Sequence, residues 1–308
     1  MATPPSALSA SVVAAIDDLE LAARLVVEGL RAGGHRSPFH GFSADFQQHR
    51  PYRVGDDLKY LDWKILARTD RLYSKQFRET TSMSVMLVLD ASASMAFPEH
   101  GVSKFRYGSI LAASLAYLIA AQGDAVGLMT TVGDRLAYLP AKGGRVHLRS
   151  LIAQIDKLQP GGSWQPDQVI ARGAELLKRR GAVVVVSDFY DEEDSTRREL
   201  RRVASRGHDV AMLQLLSPEE TSFPYRGDLA LEDLESGERR LINATAIEAE
   251  YNSAVSAFVA GWRNQAHRDG IDYALMSTDV PPQQALRGYL LRRGAKHQSD
   301  NAARQFSK

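Results

Sequence analysis

The sequence predicts an α/β protein whose mostly parallel, six-stranded sheet carries helices on both faces. Residues 85–89 and 182–187 (AVVVVS) are continuous apolar runs, as expected of strands buried on both faces of a parallel sheet. From residue 84 to residue 293 such strands alternate with helical patterns. Alternation of this kind is typical of a parallel sheet between two layers of helices.

The elements of this domain follow one another with short connections. The turn Gly133-Asp134 joins two strands as a hairpin, so the second of them is expected to be a short antiparallel edge strand. The expected order across the sheet, counting its strands along the chain, is 3-2-1-4-5-6. The predicted strands are 84–90, 125–132, 135–139, 182–187, 209–216 and 271–277, and the predicted helices are 105–121, 145–158, 166–179, 195–206, 245–268 and 283–293.

Three segments lie outside this alternation. Residues 1–80 are predicted to form an N-terminal helix over 11–31, a long polar arm and a strand over 71–79. Residues 229–243 are predicted to be a hairpin insertion with Ser236-Gly237 at its tip. We therefore divide the chain into residues 1–80, a sheet domain over 81–293 and a disordered polar tail over 294–308.

Composition excludes several classes of function. The chain has 308 residues, of which 44% are hydrophobic, and a formal net charge of +1, which gives no electrostatic basis for bulk binding to nucleic acid. It has no cysteine, so disulfides, thiol catalysis and zinc–thiolate sites are excluded. No window is apolar enough for a signal peptide or a membrane span, so we expect a cytoplasmic protein.

The strand at 84–90 ends in a group of oxygen-bearing side chains. Asp90, Ser92 and Ser94 alternate with alanines, which brings one carboxylate and two hydroxyls onto one tight loop. Hard oxygen ligands of this kind suit Mg²⁺ or Mn²⁺. Roughly one chain in ten of this length carries D-x-S-x-S by chance, so the position at the carboxyl end of a buried strand is what makes the pattern informative. Asp188 follows the second buried strand and should face the same crevice.

These loops resemble the metal-ion-dependent adhesion site of von Willebrand factor A domains. That family uses D-x-S-x-S on a first loop, a threonine on a second and an aspartate on a third. The resemblance implies that Asp90, Ser92 and Ser94 are first-loop ligands, that Ser163 takes the place of the threonine, and that Asp188 is the third-loop aspartate. A serine keeps the hydroxyl but loses the β-branch that fixes its rotamer.

Simpler interpretations of the same residues stay open. The first loop is also typical of a polar turn that caps the next helix. Ser163 is also explained as an ordinary turn serine, and Asp188 as a strand-end acid paired with an arginine.

The segment upstream of the sheet resembles the signature of the domain of unknown function 58 family. Its motifs are GFSADF at 41–46, RPYRVGDD at 50–57, DWK at 62–64 and Ala67-Arg68. In that family this block precedes a von Willebrand factor A-like domain, and members are often encoded beside MoxR-type AAA+ ATPases. The resemblance therefore implies a von Willebrand A-like, Rossmann-like fold and a MoxR-type ATPase as partner. It leaves the role of the arm at 41–68 open between a second contact and an intramolecular brace.

Two functions compete for the predicted site. The first is a non-catalytic, metal-dependent protein–protein interaction module, in which a carboxylate of a partner protein completes the coordination of the ion. The alternative is a Mg²⁺-dependent phosphohydrolase of the haloacid-dehalogenase type, which needs a second acid two residues after the nucleophile. Ser92 stands at that position, and the chain has neither a dinucleotide-binding G-x-G-x-x-G after the first strand nor a phosphate-binding G-x-x-x-x-G-K-[ST] loop. These observations favour the interaction module.

Overall fold

The structure is a computed structural model that describes residues 8–32, 46–51, 65–66, 68, 72–77, 83–133, 135–177, 179–190, 194–235 and 237–306. The chain divides into two compact units, residues 39–83 and the remainder. The smaller unit contains an antiparallel ribbon of β1 (Phe46–Pro51) and β2 (Tyr73–Phe77). β2 confirms the strand predicted over 71–79. β1 was not predicted, because its sequence FQQHRP has almost no apolar alternation. Most of the family signature, residues 41–45 and 52–64, lies outside the described residues.

The larger unit is built on a six-stranded sheet. Its strands are β3 (Ser84–Leu89), β4 (Ala125–Val132), β5 (Arg135–Lys142), β6 (Ala182–Ser187), β7 (Asp209–Leu216) and β10 (Asp272–Ser277). They lie in the order β10-β7-β6-β3-β4-β5, and only the β4–β5 pair is antiparallel. This confirms the predicted order. β8 (Asp228–Glu232) and β9 (Arg239–Asn243) form a separate two-stranded hairpin close to the predicted bounds.

The helices connect the strands and cover the sheet. They are α1 (Ala10–Ala14), α2 (Leu19–Ala32), α3 (Lys104–Ala121), α4 (Arg145–Asp156), α5 (Pro166–Glu175), α6 (Ser195–Ser205), α7 (Pro218–Ser222), α8 (Ala244–Arg268) and α9 (Pro282–Phe306), with a 3₁₀ turn at Ala93–Ala96. The side chains on one face of β3 and β6 pack with α5, α6 and α8. α3 crosses the other face, where a Cβ added to Gly108 would lie 3.0–3.4 Å from the side chains of Leu89, Val186 and Leu215. The two central strands are therefore buried on both sides, as their apolar sequences predict.

The N-terminal helix differs from the prediction. A single helix over 11–31 was expected, whereas α1 and α2 are separate. Asp18 caps α2, since its Oδ1 accepts a hydrogen bond from the Leu21 amide at 3.0 Å. Arg106 of α3 donates to the carbonyls of Ala14 and Ile16 in the break, so a side chain satisfies these backbone groups. Both helices belong to the same compact unit as the sheet, not to the arm as we had divided the chain.

The last helix also differs, because it continues to Phe306 where a frayed tail was predicted from residue 294. Its buried Arg293 donates to Asp272 Oδ2 at 2.8 Å and also pairs with Asp209. These two acids begin β10 and β7, so the arginine anchors α9 to the amino edge of the sheet. No sign of this role was present in the sequence, because Arg293 is only the second of two adjacent arginines.

Among the helices of the part of the chain that the structure describes, none is both long and apolar enough to cross a membrane.

β5 contains a bulge opposite a glycine of β4. Val126 pairs with Lys142 and Leu128 with Leu139, so Pro140 and Ala141 together face Gly127. A Cβ added to Gly127 would lie 2.8 Å from both the Ala141 nitrogen and the Leu139 carbonyl oxygen. The bulge therefore requires a glycine at this position.

We expect Gly127→Ala to lower the free energy of unfolding by about 2 kcal/mol, because the two strands must separate to admit the methyl group. The matched control is Gly29→Ala in α2, where a Cβ would meet only Gln283 side-chain atoms at 3.6 Å. That change should raise stability by about 0.5–1 kcal/mol through helix propensity. Urea denaturation of both variants measures the difference, and equal stability of the two would contradict the close approach of the strands.

Candidate functional site

The predicted site residues lie where the two central strands end. β3 and β6 are parallel neighbours with Leu89 opposite Val186, and the amide of Asp90 donates to the Val186 carbonyl at 2.9 Å. Asp90 and Asp188 therefore leave the same edge of the sheet on adjacent strands. Connections on either side of this pair of strands run in opposite directions, which is where open α/β sheets form a crevice.

The first loop is organised around a fully buried carboxylate. Oδ1 of Asp90 accepts a hydrogen bond from the Ser92 amide at 2.8 Å, and Oδ2 accepts one from the Ser187 hydroxyl at 2.6 Å. The hydroxyls of Ser92 and Ser94 lie 3.1 Å apart. One carboxylate and two hydroxyls thus converge on one loop, as the D-x-S-x-S spacing predicts.

The second loop is joined to the first through the backbone. The Gly161 amide donates to the Ala91 carbonyl at 2.8 Å, and the Ala93 amide donates to the Gly162 carbonyl at 2.9 Å. Gly162 has a φ of +76°, and a side chain there would also press against the β4–β5 turn. Ser163 follows on this loop and is exposed. Within the described chain no hydrogen bond connects its hydroxyl with the first loop.

The third loop contains a buried ion pair. Oδ2 of Asp188 accepts a hydrogen bond from Lys104 Nζ at 2.7 Å, and the same ammonium donates to Glu220 Oε1 at 2.6 Å. The other Asp188 oxygen accepts from the Tyr190 amide at 3.2 Å, and its backbone carbonyl accepts from Gln214 at 3.0 Å. Asp188 is thus a paired strand-end acid, as the simpler interpretation proposed, but its partner is a lysine.

These contacts change the expected charge balance. We had counted two carboxylates, Asp90 and Asp188, for one divalent ion. The cluster contains three carboxylates, including that of Glu220, and one ammonium, which leaves a formal charge of minus two. The positive charge is not shared equally among the three acids, because Lys104 contacts Asp188 and Glu220 but not Asp90.

The pKa values follow from this arrangement. Burial, together with the negative charge of Asp188, raises the pKa of Asp90 to about 7, although hydrogen bonds from Ser187 and Ser92 oppose the change. Burial alone would lower the pKa of Lys104, but Asp188 and Glu220 raise it overall. The Lys104 ammonium is therefore a fixed charge, whereas Asp90 is a carboxylate without a counter-ion.

Sequence reasoning missed three residues at this edge. Ser187 ends a strand and has no distinctive pattern. Lys104 did give a signal, since it is one of two cations, with Arg106, in the first turn of a largely apolar helix, where the helix dipole disfavours positive charge. Glu220 belongs to a capping box with Ser217.

The donor set is poor in carboxylates. Among the described residues no three His, Asp or Glu side chains form a cluster that could hold a metal ion by themselves. A cation at this edge would need the serine hydroxyls as ligands. The assignment of Asp90, Ser92, Ser94, Ser163 and Asp188 as ligands stays a prediction.

The raised pKa of Asp90 makes stability depend on pH. Because its pKa is higher in the folded than in the unfolded chain, its ionisation destabilises the fold progressively as pH rises from about 4 to about 7. In EDTA, Asp90→Asn should therefore stabilise the protein above pH 8, by no more than about 4 kcal/mol, and have little effect near pH 4. Thermal denaturation as a function of pH measures this, and a variant equally destabilised at both pH values would contradict it.

Lys104 should be essential for stability. Lys104→Met leaves Asp188 and Glu220 buried without a counter-charge, so we expect a loss of about 3–5 kcal/mol in urea denaturation. Arg172→Met is the control, because its ion pair with Glu175 is exposed and should contribute less than about 1 kcal/mol. Similar losses in the two variants would argue against the buried pair.

Known proteins match this chain in sequence, and others superpose on part of its structure. The uncharacterized protein Rv1480 of Mycobacterium tuberculosis is 30% identical over 242 residues, which cover 76% of each chain. An aerotolerance-related membrane protein from Bacteroides fragilis superposes with a TM-score of 0.48 at 16% identity, over 70% of this chain and 100% of that one. The von Willebrand A domain of SpRpn10 superposes with a TM-score of 0.40 at 11% identity, over 67% of this chain and 94% of that one.

The sequence profile of a protein family matches most of the chain, over residues 48–259. This range includes residues 48–68 of the arm and every strand of the six-stranded sheet except the last. The chain therefore belongs to the family described as protein of unknown function DUF58.

Proposed function

We propose that this protein is a non-catalytic interaction module that binds its partner through a divalent cation at the carboxyl edge of the sheet. The observation that supports it most is the pairing of Asp90, a buried carboxylate without a counter-ion, with two hydroxyls 3.1 Å apart. A cation here would relieve the electrostatic cost of Asp90 and bring the cluster with Glu220 to neutrality.

The donor chemistry fits Mg²⁺ or Mn²⁺. Ligands in adjacent positions of an octahedral Mg²⁺ site lie about 3.0 Å apart, since each Mg–O bond is about 2.1 Å. The spacing of the Ser92 and Ser94 hydroxyls is close to that value. Asp90, Ser92 and Ser94 would hold the ion, with Ser163 and Asp188 on the adjoining loops. When bound, the ion would supply a site that accepts an oxygen ligand.

The residues of the first loop disfavour the phosphohydrolase alternative. That alternative needs a nucleophilic aspartate and a second acid two residues later. The position of the general acid is occupied by Ser92, whose hydroxyl does not titrate in the range needed. A buried acid that organises its own loop is better suited to binding than to turnover.

The partner we propose is a MoxR-type AAA+ ATPase, or a protein on which it acts, that contributes an acidic side chain. The proposal rests on the family to which the chain belongs and on ligand chemistry. A carboxylate is a preferred oxygen ligand of Mg²⁺. The binding energy would then depend on both the ion and the three loops that surround it.

Binding of the purified ATPase should require the cation and Asp90. We expect Asp90→Asn in Mg²⁺, and wild type in EDTA, to weaken binding by a similar amount, about 1–3 kcal/mol for a lost charge-assisted contact. Calorimetry with the ATPase measures the affinity, and calorimetry with MgCl₂ alone reports occupancy of the ion site.

The control is Glu175→Gln, which removes an exposed carboxylate at the far end of α5 from the site. It should bind both Mg²⁺ and the ATPase as wild type does. If Mg²⁺ binds but ATPase affinity is unchanged by EDTA and by Asp90→Asn, the ion does not bridge the two proteins. If Mg²⁺ does not bind wild type, the cation-dependent function is wrong.

A further inference from the structure

A buried ammonium already occupies the acid of the third loop. Lys104 Nζ donates to Asp188 Oδ2 at 2.7 Å and to Glu220 Oε1 at 2.6 Å, and the lysine side chain is only 1% exposed. An ammonium this close to a carboxylate neutralises its charge, and water cannot screen a contact that is buried so deeply. Asp188 therefore reaches the site as one half of an ion pair.

Neighbouring groups hold the ammonium in this position. The centroid of the Tyr190 ring lies 5.0 Å from Lys104 Nζ, and the same ring stacks on Phe258 of α8 with centroids 5.1 Å apart. The second carboxylate oxygen of Glu220 accepts a hydrogen bond from the Ser217 amide at 2.7 Å, within the capping box of α7. The ammonium is therefore fixed from two sides, by an aromatic ring and by an acid that is itself anchored.

This ion pair lies next to the loop on which the cation is proposed to bind. Ser187, the residue before Asp188, donates its hydroxyl to Asp90 Oδ2 at 2.6 Å. The Asp90 amide donates to the Val186 carbonyl at 2.9 Å, so backbone and side chain both join the first loop to the end of β6. A divalent cation that took Asp188 as a ligand would share this carboxylate with Lys104, and positive charges at such short range repel each other strongly.

We propose that Lys104 acts as an internal cation that keeps Asp188 from binding the divalent cation. This inference rests on the proposed function and narrows the set of ligands that the function would use. The first loop then holds the ion with a single carboxylate, and the coordination position that the third-loop aspartate would fill stays open to water. An acidic side chain of a partner can bind at that position. Lys104 is thus a positioning residue, since it acts through Asp188.

Two variants with the same change in charge test the role of Asp188. Asp188→Asn and Glu220→Gln each remove one of the two acids that contact Lys104 and leave the ammonium paired with the other. Neither change removes a ligand if the inference is right. Water-proton relaxation should therefore show the same exchangeable water on bound Mn²⁺ in both variants as in wild type. Mn²⁺ titrated under electron paramagnetic resonance should bind to the two variants with similar affinity.

A third variant tests the role of the lysine. Lys104→Met/Glu220→Gln removes one positive and one negative charge, so the formal charge of the cluster stays at minus two while Asp188 is released. We expect it to bind Mn²⁺ about tenfold more tightly than wild type and with less exchangeable water, because the freed carboxylate replaces a water ligand. A lysine with a purely structural role would leave both measurements unchanged. Thermal denaturation in EDTA shows that each variant is folded, and the two single variants decide the question if the double variant is not.

The outcomes separate this inference from the proposed function. If wild type binds Mn²⁺ and Asp188→Asn gains exchangeable water where Glu220→Gln does not, Asp188 is already a ligand, so the inference is overturned and the cation site stands. If the folded double variant binds Mn²⁺ no more tightly than wild type, Lys104 does not compete for Asp188 and the inference is again overturned.

The remaining outcomes concern a wild-type protein that does not bind Mn²⁺. If the double variant binds the ion and wild type does not, the lysine blocks the site, so the inference holds and the cation-dependent function is wrong. If neither protein binds Mn²⁺, both proposals are overturned.

Discussion

The structure depends on how negative charge is tolerated at the ends of β3 and β6. Asp90 and Asp188 leave adjacent strands inside the most buried part of the protein, where water cannot screen them. One is compensated by Lys104, which α3 carries across the sheet and which also reaches Glu220 beyond β7. Asp90 instead accepts hydrogen bonds from the Ser187 hydroxyl and the Ser92 amide, which are neutral groups. This difference leaves Asp90 as the acid of the pair that Lys104 does not contact.

Hydrogen bonds hold the three loops of this edge in place. The first and second loops exchange backbone hydrogen bonds at Ala91, Ala93, Gly161 and Gly162, so they cannot move independently. The third loop is held by Gln214 of β7, which donates to the Asp188 carbonyl. Gln214 also accepts a hydrogen bond from the Tyr273 hydroxyl at 2.6 Å, which extends the network to β10. The geometry around Asp90 is therefore held by four parallel strands and does not depend on loop packing alone.

Much of the fold could be predicted because it depends on local patterns. The apolar runs of β3 and β6 determine that both strands are central, and the alternation with helices fixes the order of the sheet. That Asp90, Ser92 and Ser94 share one loop could be predicted because they are close in sequence. The contacts of Lys104 and Glu220 could not, because each reaches the site through long-range packing that no local pattern records. The length of α9 was missed for a similar reason, as it is anchored by Arg293 through acids on two distant strands.

The bulge in β5 has a consequence for the protein at high concentration. β5 is an outer strand of the sheet, and such a strand is a template on which another chain can add and begin to aggregate. Pro140 lacks an amide hydrogen, and the bulge at Pro140 and Ala141 disturbs the regular spacing that intermolecular pairing needs. The glycine that accommodates this irregularity in β4 thereby helps to keep neighbouring molecules from joining edge to edge.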